Sequence, residues 1–427
     1  GYKQLRLRNW AAPPFRPAEI DAVVLTHAHL DHSGYLPLLV RRGFKGPIYT
    51  TAATRDLCHV LLTDSGRIQE EDAERANRHH YSRHSPALPL YTEADALAAM
   101  EQFETRAIHQ VFEPIPGLKA ELLSAGHLLG SAMVLLDDGH RRVLFSGDIG
   151  RAEDAIMRPP EPPVPADVLI MESTYGDRLH EKTDPARVLG EVIRRVSAQN
   201  GVIIVPAFSV GRTQTLLWFL HQLKAHGDIP AQLPIFLNSP MAIDATSIYR
   251  RHQQEHRLSR EECAQMCGVA QRINTVEESK ELNRRRGPML IVAGSGMATA
   301  GRVIHHLKAF ASDPKNAIVL TGFQAGGTRG AALRDGTQSI KIHGEYVAVN
   351  AEVVSLSNLS AHADYAEILD WMKGFRTPPK QVYVTHGEPA AGDALRMRVQ
   401  ERYGWNCRVP EYLEIVDLDT PDGSPPE

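Results

Sequence analysis

Residues 25–34 read LTHAHLDHSG and crowd three histidines and an aspartate, His27, His29, Asp31 and His32, directly behind the apolar run IDAVVL. In an extended segment alternate residues share a face, so His27 and His29 can aim at one point. A turn after them can aim Asp31 and His32 at a second. Neutral imidazole and carboxylate suit zinc, which takes about four or five ligands per ion. Four residues cannot fill two sites, so a dinuclear centre requires about three more ligands from elsewhere. His127 in SAGHLLGS, Asp148 ending VLFSGD and His386 ending VYVTH are the candidates. Small residues surround the first and glycine follows the other two, which suits ligands carried on loops at the ends of rigid strands. Any one of these residues alone reads equally well as a hydrogen-bonded structural group; beside HxHxDH, the set is far more specific.

The elements that would position these residues alternate short β-branched runs with helical stretches. IDAVVLT and PIYTT read as strands around a helix over SGYLPLLVRRG, and residues 65–105 carry helical spacing. ELLSAGHLLGSAMVLLDD and RRVLFSGDIG read as strands, and proline-rich MRPPEPPVPAD as a connector to the strand VLIMEST. The chain then changes character. GVIIVPAFSVGRTQTLLWFLHQL and PMLIVAGSGMATAGRVIHHLKAF are each strand, loop, helix, with PIFLNSP and NAIVLTGF as further strands. That alternation predicts a mostly parallel sheet covered by helices. VVSLS, a helix after Ala363 and the strand QVYVTHGE return to the earlier style, and the tail DTPDGSPPE is expected to be disordered.

With 427 residues, two domains are the natural expectation. No apolar run approaches the roughly 20 residues that span a bilayer, so no membrane partner is expected. Cys58, Cys263, Cys267 and Cys407 are sparse and scattered and are read as reduced thiols in a cytoplasmic protein. A net charge of -4 advertises no global basic field for nucleic acid, although local clusters or bound cations can supply one. His79–His80 and His305–His306 are read as surface or packing pairs, because adjacent helical residues face different ways. The opening GYKQLRLRNWAAPPF, which starts at Gly1 without an initiator methionine, reads as the middle of a loop in a processed or truncated product.

THAHLDH, SAGHLLGS, SGDIG and VTHGE resemble the ligand motifs of the metallo-β-lactamase superfamily. MESTYGDR, the strand-rich insert and NLSAHADY resemble its β-CASP branch, whose members process RNA or DNA. The resemblance runs from about Asn9 to about Glu388. It implies an α/β fold: a metallo-β-lactamase αββα sandwich with an inserted α/β β-CASP domain on a mostly parallel sheet. The domains expected are residues 1–177, 178–352 for the insert, and 353–427 for the return segment and tail. The superfamily opens with strands ahead of the histidine motif, one carrying an aspartate. The first aspartate here is Asp21, so those strands are expected upstream of this sequence. By the same resemblance one Zn2+ takes His27, His29 and His127, a second takes Asp31, His32 and His386, and Asp148 bridges them; Mn2+ is the alternative ion. Glu172 and His362 fall on branch-specific positions.

The chemistry implied is hydrolysis of RNA phosphodiester bonds by a hydroxide bridging the two ions, with Asp31, Asp148, Glu172 and His362 as the catalytic residues. Zinc brings the pKa of bound water to about 7. His362 would protonate the leaving ribose oxygen, held by Glu172, whose carboxylate favours the imidazolium form. The alternative is a purely structural Glu172–His362 hydrogen bond. PAFSVGRTQT and AGSGMATAGR place small residues and an arginine between strand and helix, which makes Ser209, Arg212, Ser295 and Arg302 candidates for phosphate contacts. Equally, those glycines serve helix–sheet packing and the arginines pair with carboxylates. Endonucleolytic cutting of single-stranded RNA is the first expectation, with a 5′-to-3′ exonuclease, a small-molecule hydrolase and a non-catalytic RNA-binding scaffold as the other readings. A homodimer is compatible with all of them.

Overall fold

The computed structural model describes residues 3–80 and 82–418, and the tail DTPDGSPPE lies outside the described residues. The chain forms two compact units, one of Pro13–His180 with Ala361–Glu427 and one of Gly1–Ala12 with Glu181–Ser360.

In the first unit a seven-stranded sheet runs Cys407–Arg408, Gln381–Val384, Val168–Met171, Arg142–Phe145, Ala132–Asp137, Leu118–Ser124, Phe112–Ile115. The pairings are parallel as far as Arg142–Phe145 and antiparallel beyond it. A smaller parallel sheet joins Val23–Val24, Ile48–Thr50 and Phe103–Thr105. The two-residue period of a strand puts neighbouring side chains into different cores. Leu122 and Val134 pack with Tyr49 and Val24 between the sheets. Leu123, Met133 and Leu135 pack on the other face against Ile368, Leu369, Leu395 and Val399. These last four belong to the helices Tyr365–Met372 and Pro389–Tyr403. Helices Ala52–Arg78 and Glu93–Met100 pack together, the former also touching Phe103–Thr105, which completes a helix–sheet–sheet–helix stack. Leu122 is fully buried, and truncating it to alanine would cost about 2–5 kcal/mol.

The second unit carries a six-stranded, wholly parallel sheet in the order Gln271–Arg272, Ile235–Asn238, Met289–Ala293, Val202–Pro206, Ala317–Thr321, Glu352–Leu356. Every residue of Val202–Pro206, Met289–Ala293 and Ala317–Thr321 is buried, as apolar runs covered on both faces require.

Three expectations are corrected. GYKQLRLRNW is not loop throughout: Lys3–Trp10 is a helix, built from straight-chain residues of high helix propensity and ended ahead of Pro13. Helical spacing over 65–105 holds only to Arg78 and again over Glu93–Met100, and Phe103–Thr105 is a strand that pairs with Ile48–Thr50 and buries Phe103. The boundary at 352/353 also moves. Glu352–Leu356 completes the parallel sheet beside Ala317–Thr321, so the return segment starts at Ala361. Cys58, Cys263 and Cys407 are buried thiols and Cys267 a partly buried one. No helix among the described residues is long and apolar enough to cross a membrane.

Candidate metal centre

His27 and His29 follow the strand Val23–Val24 in extended chain, and His29 caps the single helical turn Leu30–Ser33 that carries Asp31 and His32. The Ser33 hydroxyl ties that turn back to the Ala28 carbonyl at 2.8 Å. His127 sits in the loop between two antiparallel strands, where its backbone N–H donates to Ser131 Oγ at 3.0 Å. The loops of His127 and Asp148 touch through backbone: Gly150 N–H donates to the Ala125 carbonyl at 2.8 Å, and a Cβ on Gly150 would lie 2.1 Å from the Gly126 carbonyl oxygen. Only glycine admits that approach. His386 lies two residues past the strand Gln381–Val384 with φ at 50°, left-handed territory that a non-glycine residue keeps only when neighbours enforce it. Ser173 N–H and Thr174 Oγ1 both donate to its carbonyl at 3.3 Å.

The seven side chains singled out by residue type converge within this one unit. A ligand atom from each of His27, His29, His127 and Asp148 lies within 4.8 Å of the others, and the same holds for Asp31, His32 and His386. Asp148 stands between the groups. Its Oδ2 lies 3.2 Å from His27 Nε2 and 3.6 Å from His127 Nε2, and its Oδ1 lies 3.4 Å from His32 Nε2 and 3.3 Å from His386 Nδ1. His27, His127 and Asp148 are buried, whereas Asp31 is exposed at 65% of its side-chain surface.

Electrostatics and unmet polar atoms fit a cation. Burial holds His27 and His127 below their ordinary pKa, and burial with the neighbouring His27 brings His29 to about 3, so these rings are neutral donors. Burial opposes the charge of Asp148, yet His27 beside it holds the carboxyl well below its usual range. Burial likewise opposes a charged His386, but Asp31, Asp148 and Glu172 raise it to about 10. His27 Nε2, His127 Nδ1 and Asp148 Oδ1 are buried with no hydrogen-bond partner in the protein. Buried polar atoms rarely go unmet, and the neutral imidazoles of His27, His29 and His127 beside a carboxylate are a zinc-type donor set; His386, protonated in the absence of metal, would release its proton on joining one.

Glu172 and His362 adjoin this cluster. His362 Nδ1 donates to Glu172 Oε2 at 3.0 Å and lies 3.9 Å from Asp148 Oδ2. Several contributors carried no signal of their own in the sequence. Ser146 Oγ accepts the Glu172 N–H at 3.1 Å, Thr174 Oγ1 lies 3.3 Å from His386 Nδ1, and His180 Nε2 donates to the His362 carbonyl at 2.8 Å. Serine and threonine are too common, and His180 too far from the other histidines in sequence, for spacing to single them out.

The four phosphate-contact candidates belong to the other unit. Ser209 Oγ pairs with Ser239 Oγ at 3.0 Å, and half-buried Ser295 Oγ with Thr299 Oγ1 at 3.2 Å. Arg212 is buried at the start of the helix Arg212–Ala225, with Nη1 donating to the Thr321 carbonyl at 3.4 Å. Arg302 donates to Asn238 Oδ1 at 2.8 Å and to the carbonyls of Ile273 and Asn274 at 3.0 and 2.8 Å, acceptors with which a phosphate would have to compete. In these bonds both arginines meet amide carbonyl oxygens rather than carboxylates.

Residues 8–189 match the metallo-beta-lactamase superfamily, residues 213–333 the Beta-Casp domain, and residues 346–410 the Zn-dependent metallo-hydrolase RNA specificity domain. Ribonuclease TTHA0252 of Thermus thermophilus is 36% identical over 92% of this chain and 88% of its own length. Transcription termination factor FttA of Pyrococcus abyssi is 31% identical over 93% of this chain and 62% of its own length. Cleavage and polyadenylation specificity factor 73 of Drosophila melanogaster is 30% identical over 94% of this chain, which spans 58% of that protein. With the ligand motifs gathered in one αββα unit and a parallel-sheet insert between its two segments, the chain belongs to the β-CASP branch of the metallo-β-lactamase superfamily of metal-dependent hydrolases.

Proposed function

We propose that the protein is a zinc-dependent endoribonuclease acting on single-stranded RNA. The observation that carries this reading is the position of Asp148, one carboxylate oxygen toward each histidine group and the Glu172–His362 pair at its side. His27, His29 and His127 would hold one zinc ion, Asp31, His32 and His386 a second, and Asp148 both. Bound there, the ions supply a nucleophile near neutral pH and neutralise charge on the phosphate. The chain's own residues supply the remainder. His362 gives a proton to the leaving ribose oxygen, and the Glu172 carboxylate keeps Nδ1 engaged, so the donated proton leaves from Nε2. Contacts to RNA phosphates from Ser209, Arg212 and Ser295 belong to the same reading.

RNA as substrate is supported by the RNA specificity domain match and by relatives named as a ribonuclease and as a cleavage factor. The test is to incubate the zinc-loaded protein and Asp148→Ala with internally labelled single-stranded RNA and to size the products. Internal fragments made only by the parent support the proposal. Mononucleotides released from one end would replace it with an exonuclease, and intact RNA despite bound zinc would remove RNA as the substrate.

A further inference from the structure

Beside the metal centre, His180, Asp364 and Glu367 bring one ligand-type atom each within 4.8 Å of the others. The cluster looks like another cation site, but most of its ligand-type atoms are already hydrogen-bonded. His180 Nε2 donates to the His362 carbonyl at 2.8 Å, and its backbone N–H donates to Asp364 Oδ2 at 2.9 Å. Asp364 Oδ1 accepts from the N–H groups of Ala366 and Glu367 at 2.9 and 3.0 Å, capping the helix Tyr365–Met372. Glu367 Oε2 in turn accepts the Asp364 N–H at 3.0 Å. A cation would have to break this capping box and the imidazole–carbonyl bond together. What the cluster does hold is the backbone of His362.

We propose that His180 is a positioning residue that fixes the main chain of His362, so that its imidazole is presented to the leaving group at constant geometry. The proposal rests on the general-acid reading of His362. A carbonyl oxygen can only accept, so the His180 proton is on Nε2 and the bond has one direction. The ring is 3% exposed and packs against Tyr175 with centroids 4.7 Å apart, which leaves it little freedom to turn. On the other side of the same peptide, Ala363 N–H donates to the Ile149 carbonyl at 2.8 Å. Ile149 N–H donates to Glu172 Oε1 at 2.6 Å, so Ile149 links the His362 backbone to the carboxylate that holds its ring. Backbone and imidazole of His362 are therefore referenced to one frame, and His180 is the side chain that closes it. Misplacing a catalytic group by about 1 Å can cost on the order of 100-fold in rate.

The test compares His180→Leu, His180→Gln and His362→Ala on single-stranded RNA and on bis(p-nitrophenyl) phosphate, with zinc content measured for each. Nitrophenolate departs without a proton, so that substrate bypasses the general acid. The expected result for His180→Leu is a fall in kcat on RNA of about 10- to 100-fold, with KM and zinc unchanged and hydrolysis of the nitrophenyl ester nearly intact. His180→Gln, whose side-chain amide can donate from the position of Nε2, should recover most of the RNA activity. His362→Ala should show the same split between substrates, more severely. Equal losses on both substrates for His180→Leu, or no rescue by glutamine, would overturn the positioning role while the split for His362→Ala left the general-acid reading standing. Equal losses for His362→Ala would overturn both.

Discussion

Glu172 accepts hydrogen bonds from different parts of the site: His362 Nδ1 at 3.0 Å through Oε2, and Ile149 N–H at 2.6 Å through Oε1. A carboxylate can only accept, so it suits a histidine protonated on Nδ1 and an amide donor at the same time. Glutamine cannot replace it, because its amide nitrogen must face one of those two donors. Glu172→Gln is expected to lower kcat on RNA about 100-fold or more, the usual scale for general acid–base catalysis, while zinc content stays at the parent level. Single-turnover kinetics with metal analysis on the same samples checks this. Loss of zinc in step with activity would assign Glu172 to the metal centre instead.

The central place of Asp148 separates its role from that of Asp31. Asp148 is buried between both histidine groups, whereas Asp31 is exposed at 65% and grouped only with His32 and His386. Asp148→Ala should therefore lower both metal equivalents and abolish RNA cleavage. Asp31→Ala should retain one of the two. Zinc counted per chain after gel filtration distinguishes the variants, and the idea fails if both lose the same amount.

Zinc should also stabilise the fold. His27 Nε2 and Asp148 Oδ1 face the other ligand side chains and are buried without a hydrogen bond of normal geometry, so binding meets needs that the apo-protein leaves open. A ligand that binds only the folded state at about 100 times its Kd adds about 2.7 kcal/mol. Chelation by EDTA is expected to lower Tm by several degrees, with recovery on adding zinc. A Tm indifferent to chelator would mean the cluster holds no metal in solution.

Much of this site was legible in the sequence because its signals are local and chemically rare. HxHxDH needs only an extended stretch and a turn to bring its side chains together, and residues 25–33 supply both behind the strand Val23–Val24. Asp148 and His386 could be chosen because each ends an apolar run and precedes glycine. What escaped notice depends on tertiary packing. His180 acts on a carbonyl 182 residues away, and no spacing rule reaches that far. Arginines between strand and helix look like anion ligands in one dimension, whereas Arg302 folds onto Asn238 and two carbonyls. The boundary after residue 352 was misplaced because VVSLS has the same β-branched character whichever sheet it joins, and only its pairing with Ala317–Thr321 decides.

Arg302 gives the next prediction. Three hydrogen bonds tie its guanidinium to Asn238, Ile273 and Asn274; the Asn274 bond is exposed and counts for little, and the buried Asn238 side chain that loses its charged partner costs about 1.5–3 kcal/mol. Arg302→Ala is expected to lower stability by about 2–3 kcal/mol in urea unfolding without changing the salt dependence of RNA binding. A smaller salt slope would restore Arg302 to the phosphate-binding residues, since the slope falls by about one for each phosphate the protein no longer neutralises.

The same hydrogen bonds impose a protonation state on His306. Arg302 donates to Asn238 Oδ1, so the amide nitrogen of Asn238 must face His306 Nε2 at 2.6 Å, and Nε2 must accept. His306 Nδ1 then donates to Asn283 Oδ1 at 2.7 Å. The ring is fully buried, and burial with the nearby charges of His305 and Arg302 lowers its pKa to about 4. The unfolded chain, with its histidine near 6.5, binds the extra proton first, so this contribution is complete above 6.5 and is lost as pH falls toward 4. A shift of that size is worth about 3 kcal/mol when fully expressed. Urea unfolding of EDTA-treated protein at pH 7 and pH 5 should show a larger drop for the parent than for His306→Gln, the remainder in both coming from His27, His29 and His127, which burial also holds low. Arg302→Ala should shrink the drop as well, because Asn238 is then able to turn its oxygen toward a protonated ring. If the parent and His306→Gln lose stability equally over this interval, His306 is not the group being protonated.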